Sequence, residues 1–197
     1  MTKLLTLKHW QLFGLLMGLP MVFQFITIGS MFSSNDPTAM FYFFPIMMIL
    51  FVGLFFGWFY ALGTNLHKKL PTTATMNLTR FKIFLFIPVA YLLFLSVFIF
   101  GMFSNISSGG QPNPAIFAVI VPLHLFSMFC IFYCLYFNAK AIKTVEWQRP
   151  VTFSDFAGEF FLIWFFPIGI WIIQPRLNKL FDPTVEAENN QILDHNV

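Results

Sequence analysis

The side chains able to do chemistry that recur at helical spacing are His124, Ser127, Cys130, Cys134 and Asn138. At about 100° per residue they fall within an arc of roughly 120°, so one helix would present all five on one face. The run around them is apolar, and an ionisable group inside a membrane-spanning helix is a functional candidate, because its burial is costly. His124 is thus a candidate to hold a cofactor or relay a proton. The donor set argues otherwise, since one His and two Cys on a single helix fall short of the converging ligands a metal site needs. His9, His67 and His195 lie in polar segments, leaving no second intramembrane His for a bis-histidine haem. The stripe is therefore expected to hydrogen-bond across a helix interface, and no metal or cofactor is expected.

Outside the apolar runs the acid–base candidates are Glu146, Asp155, Glu159 and His67. Thr152-Phe153-Ser154-Asp155 reads as a helix start, with Ser154 as the cap and Asp155 and Glu159 near the positive end of the helix dipole. That placement explains the carboxylates without catalysis. No metalloprotease, nucleotide, Ser-nucleophile or thiol-catalysis motif occurs in the chain, so no catalytic residue is expected.

The elements that carry these residues follow from composition. With 58% hydrophobic and 10% charged residues, the chain lies far from soluble domains, where roughly a quarter of residues are charged. The expected fold is an all-α integral membrane protein, a bundle of four transmembrane helices at 10–32, 39–62, 83–103 and 115–137, each long enough to cross. These form a membrane domain over 1–139. Lys3 and Lys8 precede an apolar run too long for a signal peptide and lacking a cleavage site, so the first span is expected to remain. Cys130 and Cys134 share one apolar run and imply no disulfide framework.

All eleven Lys and Arg residues fall on one side of this arrangement, and the opposite loops, 33–38 and 104–114, carry only Asp36. The positive-inside rule then places both termini in the cytoplasm. The expected location is a plasma membrane, a bacterial inner membrane in particular. The expected partners are membrane lipids and other integral membrane proteins, a second copy included, and nothing requires nucleic acid.

The segment 140–182 contains the most distinctive stretch, 160–173. As one helix it would measure about 21 Å against a hydrocarbon core of about 30 Å. Pro167 and Gly169 sit at its centre, and cations flank it on both sides: Lys140, Lys143 and Arg149 before, Arg176 and Lys179 after. The region 156–173 is therefore expected to be a cytoplasmic re-entrant or interfacial element, with a fifth span as the alternative. Trp164 and Trp171 would anchor it at the interface, with Glu159, Gln174 and Arg176 at headgroup level. Residues 175–181 could add a short amphipathic helix, and the acidic tail, 183–197, is expected to be flexible.

Two small-xxx-small motifs, Gly14 with Gly18 and Gly53 with Gly57, are expected to pack the first two spans on each other, or to form a homodimer seam. A shift of 71 positions aligns Trp10 with Phe81 and Phe23 with Phe94, which would fit a duplicated helical hairpin. Gln24, Thr27 and Ser96 are expected to bond between helices. No span contains Asp, Glu, Lys or Arg, which weighs against ion-coupled transport. The expected function is a non-catalytic membrane subunit or accessory protein packing against lipids or other membrane proteins. A small channel or transporter for an uncharged or lipophilic solute is second, and a membrane-embedded lipid-modifying enzyme third.

Overall fold

The longest apolar runs of the sequence are its longest helices. The computed structural model describes residues 3–34, 39–111 and 114–182, and among these the regular structure is helical, with no strand. Helices α1 (Lys3–Thr6) and α2 (His9–Phe13) lead through a π-helical turn, Gly14–Gly18, into α3 (Leu19–Ser34). Then come α4 (Ala39–His67), α5 (Leu78–Ser107), a 3-10 turn at Pro114–Ile116 and α6 (Phe117–Trp147), followed by the shorter α7 (Phe153–Trp164) and α8 (Phe166–Leu180). Four helical stretches among the described residues are long and apolar enough to cross a membrane: His9–Ser33, Phe44–His67, Leu78–Ser107 and Pro114–Trp147.

The helices outrun the apolar segments that announce them. Backbone hydrogen bonding does not stop where apolar side chains do, and Ala139 to Glu146 contains good helix formers, so α6 carries on to Trp147. Pro20 explains the wide turn before α3: it has no N–H to donate, and its ring would crowd the Leu16 carbonyl in a regular α-helical turn. The polar link after α4 is shorter than the sequence suggests, and the His67 ring nitrogen Nε2 closes it at 2.9 Å from the Met76 carbonyl. The expected tail at 183–197 and part of each loop expected at 33–38 and 104–114 lie outside the described residues.

The described chain gathers into two compact units. One draws on the described residues of 1–15, 58–78 and 135–197, the other on those of 16–57 and 79–134. In the second unit α5 and α6 run antiparallel, since Phe81 meets Cys134, Phe84 meets Tyr133, and Tyr91 meets His124. Much of this unit's apolar surface faces outward, Phe25 and Phe32 being 68% and 85% exposed. The first unit has a fuller core of Leu5, Leu12, Trp58, Phe59, Leu62, Ile142, Phe156, Ile163, Ile170 and Leu177.

Residues 156–173 are not one helix. The chain breaks at Phe165 (φ −87°, ψ 53°), two residues before Pro167, because a proline fits in the first turn of a helix, where no N–H partner is needed. Gly169 then lets α8 lie close against α7: a Cβ there would run into the Leu162 carbonyl. A separate helix at 175–181 is not formed, since α8 runs through Pro175 to Leu180.

Candidate functional site

In the first unit, the charged groups of α6, α7 and α8 converge. Arg176 donates to Glu146 through Nε (2.7 Å) and Nη2 (2.5 Å), and Nη2 also reaches Glu159 Oε1 at 2.6 Å. Lys143 Nζ donates to the same Glu159 oxygen at 2.9 Å. Glu159 is only 4% exposed, so its charge must be matched where it sits. Burial by itself would raise its pKa, but hydrogen bonds from Arg176 and Lys143 outweigh that and hold it below the usual carboxylate range. The Arg176 pKa moves up, chiefly through its bonds to Glu146. Glu159 and Gln174 are thus buried within the unit rather than exposed at its surface.

Gln174 is fully buried and ties the N-terminal segment to α8. Its Nε2 lies 3.2 and 3.0 Å from the carbonyls of Leu4 and Leu5, within the four-residue α1, and 2.9 Å from that of Leu7, just past its end, where helix carbonyls lack partners of their own. Trp171 adds ring contacts to His9 (4.8 Å) and Phe13 (5.6 Å). At the other end of α8, Lys69 Nζ donates to the Leu180 carbonyl at 2.7 Å, a cation at the negative helix terminus.

At the start of α7 the cap is Thr152 rather than Ser154. Its N–H and hydroxyl both donate to Asp155, at 2.8 and 2.9 Å. These bonds, the backbone one foremost, lower the Asp155 pKa. Asp155 therefore does the capping work expected of it, whereas Glu159 serves as an ion-pair partner.

With its polar groups turned inward, the helix pair presents an aromatic outside. Phe161, Trp164, Phe165, Ile168, Trp171 and Ile172 are all exposed. Along its edge runs a series of rings and cations: Lys140 stands 5.9 Å from the Tyr136 ring centre, and Tyr136 packs on Phe156, which packs on Phe153. Lys143 and Arg149 each lie 4.7 Å from the Trp147 ring centre. Gln148 makes this possible by taking a left-handed conformation (φ 50°), bonding back to the Val145 carbonyl and turning Arg149 toward Trp147.

The polar stripe of α6 divides. Ser127, Cys130, Cys134 and Asn138 are buried, while His124 is exposed and meets the Tyr91 hydroxyl through Nδ1 at 3.2 Å. His124 stands about 75° from the middle of the four others around the helix, which puts it at the rim of their face. Among the described residues no group of His, Cys, Asp or Glu could hold a metal. Thr27 and Ser96 bond to carbonyls of their own helices, Phe23 and Leu93, and not between helices, because a helical hydroxyl reaches its preceding turn. A Cβ added at Gly14, Gly18, Gly53 or Gly57 would meet nothing within 4 Å, so within the chain no described neighbour closes on these glycines. In the second unit an open cavity of about 370 Å³ is lined by Phe98, Gly101, Met102, Asn105, Gln111, Ile116 and Phe117, and His124 is not part of its lining.

Sequence reasoning missed Glu146, Lys143, Gln174 and Trp147 as parts of one assembly. The available signal was density: in a chain so poor in charge, Lys140, Lys143, Glu146 and Arg149 crowd into ten residues. Comparison of the chain with protein-family models, with curated proteins and with solved structures finds no match.

Proposed function

We propose that the chain is a multi-pass membrane protein with both termini cytoplasmic, and that α7 and α8 rest at the cytoplasmic membrane–water interface. It serves there as a non-catalytic subunit whose aromatic face contacts lipid and neighbouring membrane proteins. The observation that carries this reading is the orientation of the pair: Glu159, Gln174 and Arg176 point into the unit, while Trp164 and Trp171 point out, 45% and 47% exposed. In water that arrangement is inside out. At an interface it buries apolar surface at about 25 cal/mol per Å² and leaves the indoles where they are favoured. The carboxylates a hydrolytic reading would need, Glu146 and Glu159, are engaged by Arg176 and Lys143.

Fluorescence quenching tests this placement. The protein is reconstituted into phosphatidylcholine vesicles containing lipid brominated either near the headgroup or near the chain end. Shallow bromines should quench more, and the excess should fall in the W164F/W171F double variant, the remainder coming from Trp10, Trp58 and Trp147. Equal signals from the parent and the double variant would exclude the interface.

A further inference from the structure

We propose that Lys140, Trp147 and Arg149 form a binding site for the phosphate of an anionic phospholipid, beside the apolar face of α7. This rests on the interfacial placement and gives it a ligand. Lys143 and Arg176 are committed to Glu159 and Glu146. Among the described residues Lys140 and Arg149 have no carboxylate partner within hydrogen-bonding distance, and their neighbours are the rings of Tyr136 and Trp147. Asp155, whose pKa Arg149 also helps to lower, is bound by Thr152. The two cations therefore bring positive charge that the described part of the fold does not neutralise.

A phosphodiester supplies what is missing. Arg149 offers planar paired donors suited to a phosphate, and stacking on Trp147 holds them in place. Tyr136 and Phe153, both exposed and backed by the buried Phe156, continue the site with apolar rings, so an occupant must be anionic at one end and hydrocarbon at the other. A free phosphate satisfies only the first condition. Trp147 closes α6, the last of the four helices able to cross a membrane, so the site lies where a crossing helix would meet headgroups.

The test uses full-length protein reconstituted into nanodiscs of equimolar phosphatidylcholine and phosphatidylglycerol, with retained lipids identified by native mass spectrometry. The parent should retain phosphatidylglycerol preferentially. In K140Q/R149Q that preference should fall by about tenfold or more, each cation contributing about fivefold at an anionic surface. The charge-matched control K68Q/K179Q, changed at two exposed lysines, removes the same general surface attraction and should lose less than K140Q/R149Q, the excess being what the site supplies. Glycerophosphate added in solution should not compete. No preference in the parent, an equal loss in the control or displacement by glycerophosphate would overturn the site. If the site fails while Trp164 and Trp171 are still quenched by shallow bromines, the interfacial placement stands alone; if the quenching is absent too, both fall.

Discussion

Arg176 Nη2 lies 2.6 Å from Glu159 Oε1, a carboxylate seventeen residues earlier in the chain. In one straight helix those residues would be about 25 Å apart, so the ion pair exists only because the chain folds back at Phe165. E159Q is expected to destabilise the first unit by about 2–4 kcal/mol, since it leaves Lys143 and Arg176 facing a neutral amide. The figure sits below that for a fully enclosed pair because Arg176 is 30% exposed and keeps Glu146. Thermal melting of the variant in detergent measures it, and a shift indistinguishable from zero would refute the pairing.

The same carboxylate sets an acid limit. Its folded pKa is held below its ordinary value of 4.5, so folding favours the ionised form. The stabilisation is complete above that ordinary value and is lost as pH falls through the lower folded pKa. Melting temperature should be flat near neutrality and drop in the acid range, and E159Q should lose part of that drop. Arg176, shifted further upward, contributes no slope at accessible pH.

Glycines provide a matched pair of substitutions. G169A places a methyl against the Leu162 carbonyl and should cost about 2 kcal/mol or more, because backbone cannot move aside as a side-chain tip can. G53A meets open space and exchanges a poor helix former for the best one, a gain of up to about 1 kcal/mol. Comparing their melts distinguishes a close helix approach from a stripe that merely resembles one.

Thr144 is fully buried on α6, and among the described residues its hydroxyl has no hydrogen-bond partner. T144V keeps the shape and removes the desolvated oxygen, so a gain of about 1 kcal/mol is expected in the same melting assay. A loss would mean that the hydroxyl bonds in the folded protein.

Much of the architecture was legible because its signal is local. Apolar runs of more than twenty residues announced α3 to α6, and Pro167 with Gly169 announced a break that falls two residues earlier, at Phe165. The pairing of Arg176 with Glu159 and Glu146 was not legible, since it is made by tertiary folding between helices whose separate sequences permit many alternatives. Gly53 and Gly57 meet no neighbour within the single chain, because the spacing that allows close approach says nothing about whether a neighbour within the same chain comes. His124 was legible as unusual, but its position at the rim of the buried stripe depends on how α6 is rotated against α5.

Gln174 joins the two ends of the described chain, and its loss should be felt locally. Q174L removes the donor that serves the carbonyls of Leu4, Leu5 and Leu7, leaving buried acceptors at the end of a four-residue helix too short to persist alone. The expected outcome is faster amide exchange over residues 3–12, by about tenfold if about 1.4 kcal/mol is lost from the local opening, with α4 to α6 unchanged. Hydrogen exchange followed by mass spectrometry resolves the two regions. Uniform acceleration across both would show instead that the N-terminal segment and the long helices open as one, and that Gln174 holds more than the segment it touches.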